Sequence, residues 1–518
     1  MRSLSREAGL WATGLVALLA AAWLSPRAIP YNMDEFVHYH ALGCAAAVHS
    51  RELPLIRDGC GYYDLRLPFM STPLPLRSYY YIGSLPALPF YPVWKLLDEP
   101  VASRLQGAAF FLLSTLLARR LLRVRTGAAV AASLVFPVWL VTFLVDEGPV
   151  GLSAVLLLLA LLAARRALQA PGARAGVPWA AGAGLALFLG LWTKLVFAWW
   201  LPAFAVFVLE EARREGLSLA TLARRRSPAL LAGALALLLP TAVLLASTDR
   251  DDRPYAAVLW RGKLAADPED VAAVAVRLVR YVTDGSLVAP RNLALPSWPV
   301  DLLPLLLSVC LLAAAARWSE RRREIATWAG LSVLTFAFVA SSGYSQWPHH
   351  FAFPLLLLVF ALALATDALS PRGRFATATA VVLFWATLGA RLPSAAYPVD
   401  ASPDKDRLLA AVREKGLDRS TLQLHASWGT YYTAQLFGDP ERMVVYARRA
   451  VEDPERLRQV AEVARAAGRP ILLFSSRRWD RLHTPEVEAA LGPPRRTWQF
   501  GSWWAVEYVT SKSPSPPP

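Results

Sequence analysis

The sequence predicts a polytopic α-helical membrane protein with about eleven transmembrane helices, exoplasmic juxtamembrane helices and a small C-terminal exoplasmic α/β domain. Three observations carry that expectation. Of 518 residues, 55% are hydrophobic and only 18% charged, with a mean hydropathy of +0.36, a balance far from that of three soluble domains. Apolar runs near the length that crosses a bilayer, about 20 residues, recur along most of the chain, which excludes single-pass and peripheral proteins. The arginines fall in short loops between those runs, as the bias of cytoplasmic loops requires. The net charge of +15 therefore reflects topology. No basic surface interleaved with aromatics points to nucleic acid.

Taken in order, Arg2 and Arg6 precede the apolar run 9–24, which reads as a retained first anchor, because no convincing small-residue cleavage site follows; a cleaved signal peptide is the alternative. Further spans are expected over 101–122, 128–145, 150–164, 179–192, 195–209, 230–246, 300–316, 325–341, 351–365 and 375–390. The stretch 79–97 is apolar enough to span, yet Pro86, Pro89 and Pro92 interrupt it and Tyr91, Trp94 and Lys95 give its end an interfacial composition. Parity decides between the two. If 79–97 stays in the interface as a juxtamembrane or re-entrant helix, every arginine-rich loop faces the cytoplasm, including those of Arg119 to Arg125, Arg165 to Arg174, Arg213 to Arg226, Arg317 to Arg323 and Arg372 to Arg374. If it spans, all of them face outward.

The exoplasmic side then carries a first loop of about residues 25–100, short turns at 146–149 and 193–194, a loop at 247–299, a turn at 343–350 and everything after about 392. This divides the chain into a transmembrane domain, 1–392, an exoplasmic α/β domain, 393–510, and a disordered tail, 511–518. In the α/β domain, helices are expected over 404–415, 454–467 and 485–491, and strands over 422–425, 443–446, 471–475, 498–500 and 503–509. Of three cysteines, Cys44 and Cys60 share the first exoplasmic loop and one disulfide is expected there, while Cys310 sits in an apolar run. Only six lysines stand among 54 basic residues, a bias that points to a GC-rich bacterial genome.

The unusual polar residues lie on the exoplasmic side. The densest cluster runs from Met33 through Asp34, Glu35, Phe36, Val37, His38 and Tyr39 to His40, just after the first span. A carboxylate beside an apolar boundary is partly desolvated, which raises its pKa and suits it to general base work; an acidic helix turn at a surface is the plainer alternative. Asp34 and His38 stand four residues apart, but a third metal ligand and a zinc-type spacing are lacking, so no metal or other cofactor is assigned and a divalent cation is not indicated. A second acidic pair, Asp146 and Glu147, fills a very short turn, where a helix cap competes with a site at the bundle mouth. Lys194 divides a long apolar stretch; such a cation pairs an anion or snorkels to the interface. His349 and His350, with Tyr344 and Trp347, form a turn that lines a cavity or belongs to an interfacial aromatic belt. Arg291 is a phosphate contact or solvated surface. Trp498, Trp503 and Trp504 stack on a glycan or pack a strand.

These residues occur in an order that resembles a known family. An Asp34-Glu35 pair opening the first exoplasmic loop, the proline- and tyrosine-rich segment from Pro73 to Tyr81, Ala102-Ser103-Arg104-Leu105 at the start of the next span, Ala118-Arg119-Arg120-Leu121-Leu122, the acidic turn at Asp146 and Thr193-Lys194 are together similar to the family 39 glycosyltransferases, which belong to the C-type polytopic superfamily and include aminoarabinose transferases and protein O-mannosyltransferases. The likeness covers roughly residues 8–210. It implies inverting transfer of a sugar from a polyprenyl-phosphate donor to a lipid, protein or glycan acceptor, at the periplasmic face of a bacterial inner membrane. It further implies that Asp34 acts as general base with Glu35 beside it, that Asp146 is its acidic partner, and that Lys194, Arg77 and Arg291 bind the donor phosphate while His38, Tyr79 and His350 line the cavity. Arg77 stands where many relatives carry a lysine before two prolines, and reads as a phosphate ligand or an interfacial anchor. The competing class is a transporter or flippase of a lipid-linked or anionic substrate. Transporters place ionisable groups at mid-membrane and repeat their halves, whereas these spans are nearly free of charge and no repeat is visible.

Overall fold

The computed structural model describes residues 2–32, 35–50, 62–65, 74–79, 82–145, 149–246, 302–341, 348–391, 402–446, 453–476 and 484–509, with a few positions between 272 and 282. In chain order the elements are α1 (Arg2–Ala28), α2 (His40–Ala46), β1 (Tyr62–Leu65), β2 (Leu74–Tyr79), β3 (Ile82–Gly83), α3 (Ala87–Leu97), α4 (Val101–Leu122), α5 (Thr126–Leu134), α6 (Pro137–Leu144), α7 (Val150–Gln169), α8 (Ala173–Thr193), α9 (Leu201–Arg214), α10 (Leu219–Arg225) and α11 (Ser227–Ala246). They continue with α12 (Leu303–Trp318), α13 (Arg322–Ser341), α14 (Ala352–Ala368), α15 (Pro371–Arg391), α16 (Pro403–Glu414), α17 (Leu417–Ser420), β4 (Leu422–His425), α18 (Trp428–Phe437), β5 (Met443–Tyr446), α19 (Pro454–Ala466), β6 (Ile471–Ser476), α20 (Pro485–Leu491), β7 (Pro494–Phe500) and β8 (Trp503–Tyr508). The chain packs as two units, one of residues 1–24, 80–85 and 104–396, the other of 25–79, 86–103 and 397–518.

The first unit is helical. Among the described residues, eight helices are long and apolar enough to cross a membrane, and nine if the bent pair α5–α6 counts as one span. The run 128–145, expected as one straight span, is broken by 86° between α5 and α6. The cause is Pro137, which has no N–H to continue the helix. Phe136 before it is extended, and the indole of Trp385 donates to the stranded carbonyl of Leu134 at 2.8 Å. The run 300–316 folds as α12, only 16 residues long. The helix at 349–368 is the most buried of the set, and its face of Leu355, Leu356, Val359, Phe360 and Ala363 anchors the core. α8 and α11 approach where Gly184 meets Gly233, so closely that a Cβ on Gly184 would stand 2.1 Å from the Gly233 carbonyl. Small residues allow such contact where lipid offers no hydrophobic drive.

Arginines gather at one end of this bundle because they cap the orphan carbonyls of helix C-termini. Arg165 pairs with Glu211 at 2.6 Å and donates to Leu121 O. Arg226 donates to Leu168 O and Ala170 O at 2.8 Å, and Arg321 to Leu122 O at 2.7 Å. The loops expected to share the cytoplasmic face therefore lie together.

In the second unit, a five-stranded sheet runs in the order β5-β4-β6-β8-β7, with β5, β4 and β6 parallel and β8 and β7 antiparallel to their neighbours. Alternation along β6 sends Ile471 and Leu473 to one face, against Leu457, Val460 and Ala464 of α19, and Leu472 and Phe474 to the other, against Leu408 and Val412 of α16. A three-layer α/β domain results. Residues 25–79 and 86–103, read from sequence as part of the transmembrane domain, pack within this same unit. The guanidinium of Arg442 donates to Gly43 O at 2.7 Å, the indole of Trp94 to Leu436 O at 3.1 Å, and Val48 N to Pro440 O at 2.9 Å. α3 is an 11-residue helix, shorter than the roughly 20 residues that cross a bilayer. Cys44 is disulfide-bonded and Cys310 free; Cys60, the expected partner, lies outside the described residues, as does the tail 511–518.

Candidate functional site

Of the polar residues singled out from sequence, those that are described fall mainly in two clusters, one in each unit. In the second unit, the chain leaves α1 and turns sharply before α2. Glu35 is wholly buried there. One carboxylate oxygen accepts from the Ser103 hydroxyl at 2.8 Å and the other from the Asn32 N–H at 3.4 Å, so the side chain closes its own turn against the first residues of α4. A carboxylate with those two donors is a clamp.

Around it the turn is packed with rings. His38 is buried against Tyr39, with centroids 4.0 Å apart, and Tyr39 stacks on Phe90 of α3 at 4.0 Å. His40 donates from Nδ1 to Val37 O at 2.6 Å and meets Tyr432 of α18 at 5.0 Å. Phe36 meets Phe437 edge-on at 5.3 Å. Tyr31, on the other side, is held through its backbone. Its N–H donates to Asp406 at 3.2 Å, and its carbonyl accepts from the ammonium of Lys405. Arg77 is buried in β2, opposite Tyr62 of β1, and Tyr79 ends the same strand. α2 and α18 touch at Gly43, where a Cβ would stand 2.0 Å from Gln435 O. Arg442, which ties down Gly43, also donates to Gly438 O and Asp439 O. Burial lowers its pKa to about 10, with Asp98 and Asp439 nearby opposing the fall, so it stays charged at neutral pH.

In the first unit, α8 ends at Thr193 and the backbone of Lys194 is extended, forming an isolated bridge with Ile82 before a 3-10 turn over Leu195–Trp200. Gly83 is required beside it, since a Cβ there would fall 1.7 Å from Trp192 O. Lys194 is 1% exposed, and its ammonium donates to His349 Nε2 at 3.0 Å. His350 lies edge-on to Trp199 at 5.1 Å, and the Trp200 indole donates to Phe353 O at 2.8 Å, which fixes the turn 348–351 beside the lysine. The pair His349 and His350 thus joins the lysine. Arg104, fully buried in the first turns of α4, belongs to a motif quoted from sequence but given no role there. Three residues on, Gly107 packs on Phe143 O, where a Cβ would stand at 1.9 Å.

Asp34, Asp146, Glu147, Arg291, Tyr344 and Trp347 lie outside the described residues. Among the described residues, no group of three or more His, Cys, Asp or Glu side chains could hold a metal ion. Trp503 is wholly buried on the sheet and packs with Trp498 around α16, a strand-packing role. What the two clusters offer chemically is a buried lysine beside an imidazole in one unit, and in the other a buried carboxylate, Glu35, held by Ser103 and Asn32.

The chain matches no protein-family model and no curated protein in sequence. In structure it is similar to ArnT from Cupriavidus metallidurans in the apo state, with a TM-score of 0.56 and 14% identity over 98% of this chain and 100% of that one. It is also similar to the same protein bound to undecaprenyl phosphate, with a TM-score of 0.54 and 13% identity over 98% of this chain and 99% of that one. The chain shares the fold of these two structures.

Proposed function

We propose that this protein transfers a sugar from a polyprenyl-phosphate-linked donor to an acceptor hydroxyl at the periplasmic face of a bacterial inner membrane. The observation that carries the reading is the end-to-end likeness of fold to ArnT, a protein that binds undecaprenyl phosphate. The buried Lys194 and its imidazole partner supply a fitting cation for a phosphate. In this reading Asp34 removes the acceptor proton as the acceptor oxygen attacks the anomeric carbon. The bond from that carbon to the phosphate oxygen breaks, and the polyprenyl phosphate leaves with the electron pair, so the configuration inverts. Lys194, with Arg77 and Arg291, stabilises the charge on the leaving phosphate. Asp146 orients the acceptor or the donor, Glu35 holds the turn, and His38, Tyr79 and His350 shape the cavity.

The test is incubation of purified protein and bacterial membranes with radiolabelled polyprenyl-phosphate sugars, comparing wild type with Asp34→Asn at matched amounts. Label should pass to an acceptor fraction with wild type, and the variant should lose about 100- to 10,000-fold in rate. Near wild-type turnover by the variant would overturn the assignment of the base. Single cysteines in a cysteine-free background check the side: sites near Leu122 and Ala170 should resist an impermeant thiol reagent in intact cells, while sites near Gly148 and Gly429 react.

A further inference from the structure

We infer that the first unit holds a site for one anionic phospholipid, with an acyl chain seated in an apolar cavity among α7, α8, α9 and α11 and the phosphate at Arg226. The site shares no residue with the two clusters described above and does not depend on the proposed reaction. The sequence makes the cavity by putting small side chains on three facing helices, Ala164 and Ala167 on α7, Ala180 and Ala183 on α8, and Ala229 and Ala234 on α11. The close approach of Gly184 and Gly233 fixes α8 against α11, and beside that contact such small groups leave space unfilled. The cavity measures about 190 Å³, larger than an apolar cavity of about 150 Å³ that takes up benzene. Among the described residues that line it, Arg226 alone has a polar side chain.

Arg226 is held in place. Its Nη2 donates to Leu168 O and Ala170 O at 2.8 Å, which pins the guanidinium at the end of α7. Both acceptors are neutral, so capping α7 leaves the positive charge unpaired, and Nη1 has no hydrogen-bond partner among the described residues. Arg174, Arg224 and Arg225 are exposed at the same helix ends. The surroundings identify the occupant. In α11, a helix of membrane length, only Ala229 and Leu244 are buried, while Leu230, Leu231 and Leu238 are exposed, so its outer face meets lipid hydrocarbon. An acyl chain is therefore the apolar group at hand to fill the cavity, as water would find no partners on its walls. The arginines complement a headgroup of net negative charge, and basic pockets between membrane helices recognise such headgroups. Phosphatidylethanolamine carries the same phosphate but balances it with its own ammonium.

The experiment uses the full chain, stripped of lipid in detergent, as wild type, Arg226→Gln and Ala234→Phe, with Arg372→Gln as a control that removes an exposed arginine at the start of α15. Native mass spectrometry reads the binding of phosphatidylglycerol, of phosphatidylethanolamine with the same chains, and of undecaprenyl phosphate; thermal unfolding without lipid reads the fold. Wild type should bind one phosphatidylglycerol at least about 10-fold more tightly than phosphatidylethanolamine, the equivalent of a charged hydrogen bond. Arg226→Gln should cut that preference to within about twofold. Ala234→Phe, which places a ring in the cavity from the exposed side of α11, should weaken both phospholipids about 10-fold with Arg226 in place. Arg372→Gln should match wild type. Equal binding of the two phospholipids by wild type, a loss in Arg372→Gln equal to that in Arg226→Gln, or unaltered affinity in Ala234→Phe would each overturn the inference. So would tighter, Arg226-dependent binding of undecaprenyl phosphate, which would assign the cavity to a polyprenyl chain. If Arg226→Gln unfolds on losing its two carbonyl bonds, Ala234→Phe decides alone.

Discussion

Replacing Glu35 separates the two adjacent acids by physical role. The Glu35 carboxylate is buried, and its stronger bond is the 2.8 Å contact from the Ser103 hydroxyl; the Asn32 N–H at 3.4 Å is long and weak. A hydrogen bond to a charged acceptor contributes about 1.5–3 kcal/mol. In Glu35→Ala the Ser103 hydroxyl is not orphaned, because the Pro100 carbonyl already lies 3.1 Å away and can accept it, so the loss should stay in that range without an added penalty for a stranded donor. Glu35→Gln keeps one acceptor of the same shape and should cost about 1 kcal/mol. For a unit of this size each kcal/mol lowers Tm by about 2–4 °C. Thermal unfolding of purified protein should therefore show Glu35→Ala below Glu35→Gln, and both below wild type. Turnover of labelled donor should fall by less than about 10-fold in Glu35→Gln, against at least about 100-fold in Asp34→Asn with little change in Tm. The reverse pattern, with Glu35→Gln inactive at wild-type Tm and Asp34→Asn active, would refute the reasoning and make Glu35 the base.

Lys194→Met removes the ammonium that donates to His349 and should raise the donor KM by about 10- to 150-fold, the equivalent of a lost charged hydrogen bond, while kcat at saturation changes less; an unchanged KM would refute a role in binding the phosphate. His425, wholly buried between Gln423 and Thr430, has its pKa lowered to about 3 by burial, against about 6.5 in an unfolded chain. The unfolded state alone binds that proton, so this residue leaves stability intact above pH 6.5 and erodes it as pH falls from there toward 3, at up to about 1.4 kcal/mol per pH unit. Tm of wild type measured from pH 7.5 to 5 should drop more steeply than Tm of His425→Gln, and equal slopes would refute it.

Most helices were legible because an apolar run of membrane length admits few other structures. Pro137 was visible in the run 128–145, but continuous hydropathy concealed the bend it causes. β1 and β2 escaped notice since Pro75 sits inside β2 and the segment reads as a proline-rich loop. α18 was missed because Thr430, Tyr431, Tyr432 and Thr433 look strand-like; its start is set by Ser427, whose side chain accepts from Gly429 N. Apart from the short α17 (Leu417–Ser420), which was not expected, and the first half of β7, the α/β domain's remaining helices and strands followed from their alternation and period. In the candidate site, Lys194 stood out as a rare cation between spans, but its neighbour His349 comes from 155 residues away and no local pattern announces it. Lys405 resembles any polar residue of an amphipathic helix. Its burial is decided by a turn that lies 374 residues earlier, which only the fold brings within reach.

That separation has a consequence for how the protein is made. The bond between Tyr31 and Asp406 joins residues 375 apart. At the usual pace of synthesis, roughly 5–20 residues per second, the first loop waits on the order of 20–75 s after it leaves the ribosome before its anchors exist. During that interval the early helices already exist, yet the backbone of Tyr31 lacks the two side chains that hold it. A chain whose synthesis stops before residue 406 therefore lacks the side chains that hold Tyr31, so this part of the second unit assembles only once that late segment has been made.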